Sequence, residues 1–220
     1  MRDERKFIQA VENHDVSTVE SMLFMDPGLV ETVTEAGISI LLYAAYFKEE
    51  KITELLLNHV SHLDIHEACA MGYLNEVKRN IGENKNNTNL FSADGFTPLI
   101  LACYFGYYDI VDFLIDKGAK INLKAKNESV VAPVNSAVAS GNEQIVKLLL
   151  EAGANPNLTQ QSGITPLHSA AYRGDEKICK LLVEYGSDVM ARSDDGRTAL
   201  DFANESGNSR LIKLLSDNID

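Results

Sequence analysis

Residues 163–189 read GITPLHSAAYRGDEKICKLLVEYGSDV, and the reading of this stretch decides the fold. Thr165 is a good helix N-cap, because its hydroxyl accepts a bond from a first-turn N–H that has no partner inside the helix. Pro166 follows at the first helical position, where a missing N–H costs nothing. A short helix over Leu167, Ala170 and Ala171 comes next, and its alanines let a neighbouring helix approach closely. Gly174 ends that helix in a left-handed cap. A second helix carries Cys179 in its apolar run and stops at Gly186.

The same pattern recurs along the chain. GFTPLILACYFGYYDIVDFLIDKGAKIN covers residues 95–122, APVNSAVASGNEQIVKLLLEAGANPN covers 132–157, and GRTALDFANESGNSRLIKLL covers 196–215. The mid-unit glycine falls at Gly72, Gly106, Gly141, Gly174 and Gly207, which are spacings of 34, 35, 33 and 33. Second helices carry Ile110, Val111, Leu114 and Ile115, or Ile145, Val146, Leu148 and Leu149, at helical spacing. Upstream the register weakens. GISILLYAAYFKEEKITELLL, residues 37–57, puts Lys48 in the glycine slot, and FIQAVENHDVSTVESML, residues 7–23, puts His14 there. The step from 48 to 72 is only 24, so the third unit lacks the turn that precedes other first helices. One such helix pair cannot bury its apolar faces alone, so the units must stack.

The Thr-Pro-Leu motifs at 97–99 and 165–167, the alanine pair, the mid-unit glycine, the Ile-Val-x-Leu-Leu run and the Gly-Ala-x-x-Asn ending together resemble ankyrin repeats. A period of about 33 residues and a T-P-L-H-x-A core are that family's signature. The resemblance implies an all-α ankyrin-repeat solenoid of stacked helix-loop-helix units with short β-turn or hairpin tips. It covers residues 1–220 as one domain, in repeats at about 4–33, 34–63, 64–91, 92–125, 126–158, 159–192 and 193–220. Ala132 for Thr, Ala199 for Pro and Ser39-Ile40 for Thr-Pro are departures that weaken local caps. His66 and His168 fall in the family's TPLH histidine slot, a structural hydrogen-bonding element. The end repeats read as polar caps. The first keeps Phe7, Ala10, Val11, Val19, Met22 and Leu23 inside, and the last keeps Leu200, Ala203, Leu211, Ile212 and Leu215. Residues 82–89 form the most polar linker, a long loop between repeats.

Composition narrows the function. The chain has 220 residues, 20 Lys+Arg against 32 Asp+Glu, and a net charge of −12, which disfavours a nucleic-acid backbone as partner. Residues 1–60 hold 5 basic and 11 acidic side chains, so half of the net charge sits there. No apolar run is long enough to span a bilayer, and no apolar stretch follows the charged MRDERK start. A cytoplasmic protein without a membrane partner is expected. No phosphate-binding, zinc-protease or nucleophile-elbow motif is present, so neither enzyme activity nor a cofactor is expected. Cys69, Cys103 and Cys179 read as small buried packing residues. His59, His62 and His66 are close in sequence but fall on either side of a loop, so a metal site is not expected.

The family resemblance implies a protein partner on a concave surface of turn tips and first helices. Its contact positions, carried onto this chain, are Ile38, Tyr46 and Phe47 in the second repeat and Met71 in the third. They are Asp94, Phe96, Tyr104 and Phe105 in the fourth, Ile164, Tyr172 and Arg173 in the sixth, and Arg197 in the seventh. Of the 8 Phe and 8 Tyr in the chain, six fall on these positions. Exposed aromatics are typical anchors of interfaces. Phe47 and Phe105 have a second reading, in which they tuck between repeats and fill space. The expectation is a monomeric interaction module, or scaffold, with an apolar partner element across repeats 2 to 4. Arg173 and Arg197 would read an acidic or polar feature. An alternative is an inhibitor or immunity-type protein whose acidic first repeats mask a basic enzyme surface.

Overall fold

The computed structural model describes residues 2–218, and they are all-helical, with seven helix pairs and one isolated antiparallel bridge, Val33 to Ser39. The chain divides into two compact units, Met1–Asn87 with Ser92–Asp94, and Thr88–Phe91 with Gly95–Asp220. Among the described residues no helix is long and apolar enough to cross a membrane.

The first unit holds α1 (Arg2–Glu12), α2 (Val16–Met25), α3 (Ile40–Tyr46), α4 (Glu50–Leu57), α5 (Ile65–Met71) and α6 (Leu74–Glu83). Side-chain caps start three of them. Asp15 accepts from the Thr18 N–H at 3.1 Å, Ser39 from Leu42 N–H at 3.2 Å, and Asp64 from Glu67 N–H at 2.8 Å. The core is formed by Phe7, Val11, Val19, Leu41, Ile52, Leu56, Ile65 and Val77, each at most 2% exposed. Met22, expected inside, is half-buried.

His14 and Lys48 adopt the conformation of the glycines they replace, both with φ +57°. A Cβ in the left-handed region costs about 1–2 kcal/mol. Glycine in turn loses more backbone freedom on folding, by about 0.5–1 kcal/mol. The exposed position 48 is the cleaner test, because the His14 ring packs on Phe47. Lys48→Gly is expected to raise the stability of the first unit by about 0.5 kcal/mol. A urea midpoint that does not rise, at unchanged m-value, would show that Lys48 bears no strain.

The second unit holds α7 (Pro98–Phe105), α8 (Tyr108–Asp116), α9 (Pro133–Ser140), α10 (Glu143–Glu151), α11 (Pro166–Tyr172), α12 (Glu176–Glu184), α13 (Ala199–Ser206) and α14 (Ser209–Ser216). Thr97, Thr165 and Thr198 cap α7, α11 and α13 with their hydroxyls. Ala132 has no oxygen with which to cap α9, and Asn135 keeps the other half of the capping box, accepting from the Ala132 N–H at 3.0 Å. Ala102, Ala137, Ala170 and Ala203 are at most 1% exposed, so the first helices pack backbone to backbone. Leu211 and Leu215 close the core at the last pair, while Leu200 and Ile212 are only half-buried and Phe202 is buried in their stead.

Two sets of bonds tie successive repeats of this unit together. At the tips, Lys126 N–H donates to Gly95 O at 2.8 Å, Gln161 N–H to Ser129 O at 3.0 Å, and Asp194 N–H to Ser162 O at 3.0 Å. At the loops after the second helices, asparagine side chains clamp the next repeat. Asn122 donates to Gly153 O and accepts from Asn155 N–H, and Asn157 does the same with Gly186 O and Asp188 N–H. Asn89 makes the equivalent pair with Gly118 O and Lys120 N–H.

Two local expectations need correction. The 82–89 stretch is not a plain loop: α6 runs through Gly82 to Glu83, and Lys85–Asn89 forms a 3₁₀ turn. Nor does His66 occupy the histidine slot of its repeat. Only eight residues separate the Asp64 cap from Gly72, against nine from Thr165 to Gly174, so counting back from the glycine overshoots by one. Glu67 stands there instead, and its Oε2 accepts from the Asp64 N–H at 3.0 Å.

Candidate functional site

The twelve expected contact residues lie on first helices or the turns that flank them, and none is buried. In the first unit, Tyr46 at the end of α3 is half-buried, and its hydroxyl donates to Asp94 Oδ2 at 2.6 Å. Ser92 donates to the other oxygen of that carboxylate, so Asp94 is held by two hydroxyls. Phe47 caps α3 and remains 38% exposed while meeting His14 and Tyr43 edge-on, at centroid distances of 5.4 and 5.1 Å. It therefore both packs and presents a face. Ile38 and Met71 are half-buried.

In the second unit, Tyr104 is exposed and meets half-buried Phe105 edge-on at 5.1 Å. Phe96 and Ile164 are half-buried at the turns before α7 and α11. Tyr172, at the end of α11, is 66% exposed, and its ring stands edge-on to Phe202 at 6.3 Å. Arg197 lies 4.1 Å over that same Phe202 ring and binds Asp195 at 2.7 Å and Glu205 at 3.1 Å. Asp195 also holds the guanidinium above its ordinary pKa. Arg173 is exposed and its guanidinium lies across Gly141.

Three groups of exposed apolar residues lie outside the twelve expected contact positions. Phe24 and Met25 end α2 at 84% and 80% exposure, on the second helix of their pair. Tyr73, Tyr107 and Tyr108 are exposed where second helices begin. Val33 is exposed on the hairpin before α3. The helical period alone does not flag Phe24 and Met25, because Leu23 beside them is buried.

The polar and nucleophilic candidates have structural partners. Cys69, Cys103 and Cys179 are fully buried. Burial pushes the Cys103 thiol far up and that of Cys179 up to about 12. A thiol held neutral in this way is a poor nucleophile. Among the described residues no three His, Cys, Asp or Glu side chains are placed to hold a metal ion. His59 Nδ1 bonds Leu55 O and His62 Nδ1 bonds Ser61, each within its own segment.

His168 is a structural pin. Its Nδ1 accepts from the Thr165 N–H at 3.0 Å, so Nε2 carries the proton donated to Ala191 O at 3.0 Å. Burial lowers its pKa below the ordinary 6.5, against a smaller opposing pull from the Ala191 carbonyl. The unfolded chain therefore takes up the proton more readily than the folded one. The stability supplied by neutral His168 is present above pH 6.5 and is lost as pH falls from there through the lower pKa of the folded state. Between pH 7.5 and 5.0 the urea midpoint of the second unit is expected to drop. His168→Asn, which copies Asn135, is expected to shrink that drop, and an equal drop in both proteins would contradict the assignment.

Known proteins share this architecture. The family model for ankyrin repeats, in three copies, matches residues 7–125 and 134–220. Rat ankyrin repeat and SAM domain-containing protein 6 is 38% identical over 102 residues, 46% of this chain and 11% of that protein. The probable 26S proteasome regulatory subunit p28 of Saccharomyces cerevisiae is 26% identical over 158 residues, 66% of this chain and 68% of that subunit. The palmitoyltransferase akr1 of Neurospora crassa is 31% identical over 103 residues, 47% of this chain and 14% of the enzyme. The chain thus spans about a tenth of the length of the first of these relatives.

Proposed function

Because the chain belongs to the ankyrin repeat family, we propose that it is a protein–protein interaction module, binding a partner through its first helices and turn tips. Such repeats generally mediate binding rather than catalysis, and relatives as different as a proteasome subunit and a palmitoyltransferase carry them. The observation that carries the reading is the accessibility of all twelve contact positions, six of them aromatic. Aromatic side chains supply large contact area at low entropy cost. The module acts as one monomeric cytoplasmic domain over residues 1–220, without a cofactor and without catalysis of its own. Tyr46, Phe47 and Met71 serve in the first unit, and Phe96, Tyr104, Phe105, Ile164 and Tyr172 in the second. Asp94 and Ile38 frame the turns. With Arg197 engaged by Asp195 and Glu205, the cationic contact falls to Arg173. The test is capture of the partner by the full chain with Tyr46, Phe96 and Tyr104 truncated. Capture at the wild-type level, with helicity intact, removes the reading.

A second reading has the first repeats masking a basic enzyme surface, as an inhibitor does. The 5 basic against 11 acidic side chains in residues 1–60 favour it. It requires an association rate that falls steeply with added salt, because charge steering is screened. An association rate indifferent to salt excludes it.

A further inference from the structure

The first unit contains a groove of about 840 Å³ between α1 and the hairpin that precedes α3. That volume is in the range of pockets that enclose a ligand, yet the groove is open to solvent. Its floor is apolar, built from Ile8, Val33, Ile38 and the ring of Tyr43. The Tyr43 hydroxyl donates to Glu12 Oε1 at 2.8 Å, which fixes the ring along the wall. Val33 is 55% exposed, although it sits in the one β-bridge among the described residues. Among the described residues that line it, Glu4, Glu12 and Glu35 stand against one cation, Arg5. An apolar floor under an acidic rim is complementary to one kind of ligand. It suits an apolar side chain flanked by positive charge.

Resting on the reading of the chain as a protein-binding module, we propose that this groove takes a short extended segment of the partner in which aliphatic residues alternate with lysine or arginine. Successive side chains of an extended strand point to opposite faces. The aliphatic set then covers Val33 and Ile38 while the cations reach toward Glu12 and Glu35. An acidic segment is repelled by the same rim. The acidic excess of residues 1–60 steers the cationic segment toward this end of the chain.

The experiment uses the full chain and two fluorescein-labelled nonapeptides, one alternating leucine with lysine and one alternating leucine with glutamate, read by fluorescence anisotropy. The lysine peptide is expected to bind and the glutamate peptide to bind at least tenfold more weakly. Val33→Asp is expected to weaken the lysine peptide at least tenfold, although it adds negative charge. Diffuse attraction to an acidic protein predicts unchanged or tighter binding instead, and that result overturns the proposal. Glu35→Lys, at an exposed position, is expected to weaken it severalfold and stands in if Val33→Asp fails to fold. Phe24→Ser, at an exposed apolar site outside the groove, is expected to leave it unchanged. Failure of the lysine peptide to bind also overturns the groove assignment. A natural partner lost with the first-helix aromatics but held equally well by Val33→Asp overturns the groove alone. A partner held equally well by both variants overturns the module reading as well.

Discussion

Gly95→Ala is expected to destabilise the second unit by about 3 kcal/mol, against about 1 kcal/mol for Gly118→Ala. The two glycines have nearly the same backbone, φ +85° and +83°. Each substitution therefore meets the same left-handed penalty, partly offset by the reduced freedom of the unfolded chain. Their surroundings differ. A Cβ on Gly95 would stand 2.9 Å from the Lys126 carbonyl carbon and 3.1 Å from its oxygen, while one on Gly118 has nothing within 4 Å. Backbone on both sides cannot yield as a flexible side chain would. The Lys126 N–H to Gly95 O bond must lengthen or break, at a cost of about 1 kcal/mol. Urea denaturation followed by circular dichroism measures the difference. Equal costs for the two variants would mean that the stacked turn tips contribute nothing to cohesion between repeats.

The largest effect on function is expected from truncating Tyr46, Phe96 and Tyr104 together to alanine. An interface anchor is worth about 2 kcal/mol or more when truncated. Two such anchors among the three lower partner affinity roughly a thousandfold, at about 1.4 kcal/mol per factor of ten. Folding suffers less, because none of the three side chains is buried. Tyr46→Ala also releases Asp94 from its 2.6 Å bond, so Tyr46→Phe is the companion that removes the hydroxyl and keeps the ring. If Tyr46→Phe alone reproduces the loss, the hydroxyl's hold on Asp94, rather than aromatic area, governs binding.

The helix pairs were legible because each unit carries its own start and stop chemistry. Thr165-Pro166 begins a helix and Gly174 ends it without reference to the rest of the chain. The period even located the strained positions, since counting alone placed His14 and Lys48 in glycine slots. The same counting misplaced His66, because a capping box sets register from the cap, and the Asp64–Glu67 pair sits one residue nearer its glycine. Pairing on the surface was less legible. Arg197 was readable as accessible, but its hold by Glu205 depends on where α13 runs, eight residues later in sequence. The groove of the first unit was not legible at all. Ile8, Val33, Glu35 and Tyr43 come from α1, a hairpin and α3, and each reads in sequence as ordinary surface or core. Only the folded chain brings an apolar floor under three carboxylates.

The central claim is that the first-helix and turn-tip face binds the partner, rather than exposed apolar area in general. A pair of calorimetric titrations of the partner tests it most directly. One uses the Tyr46, Phe96 and Tyr104 triple alanine variant. The other uses a Phe24→Ser, Met25→Ser double variant, which removes the two most exposed large hydrophobic side chains described, both on a second helix. The account predicts a loss of roughly a thousandfold for the triple variant and an affinity within about twofold of wild type for the double. Full affinity in the triple variant, or a collapse of affinity in the double, would contradict it.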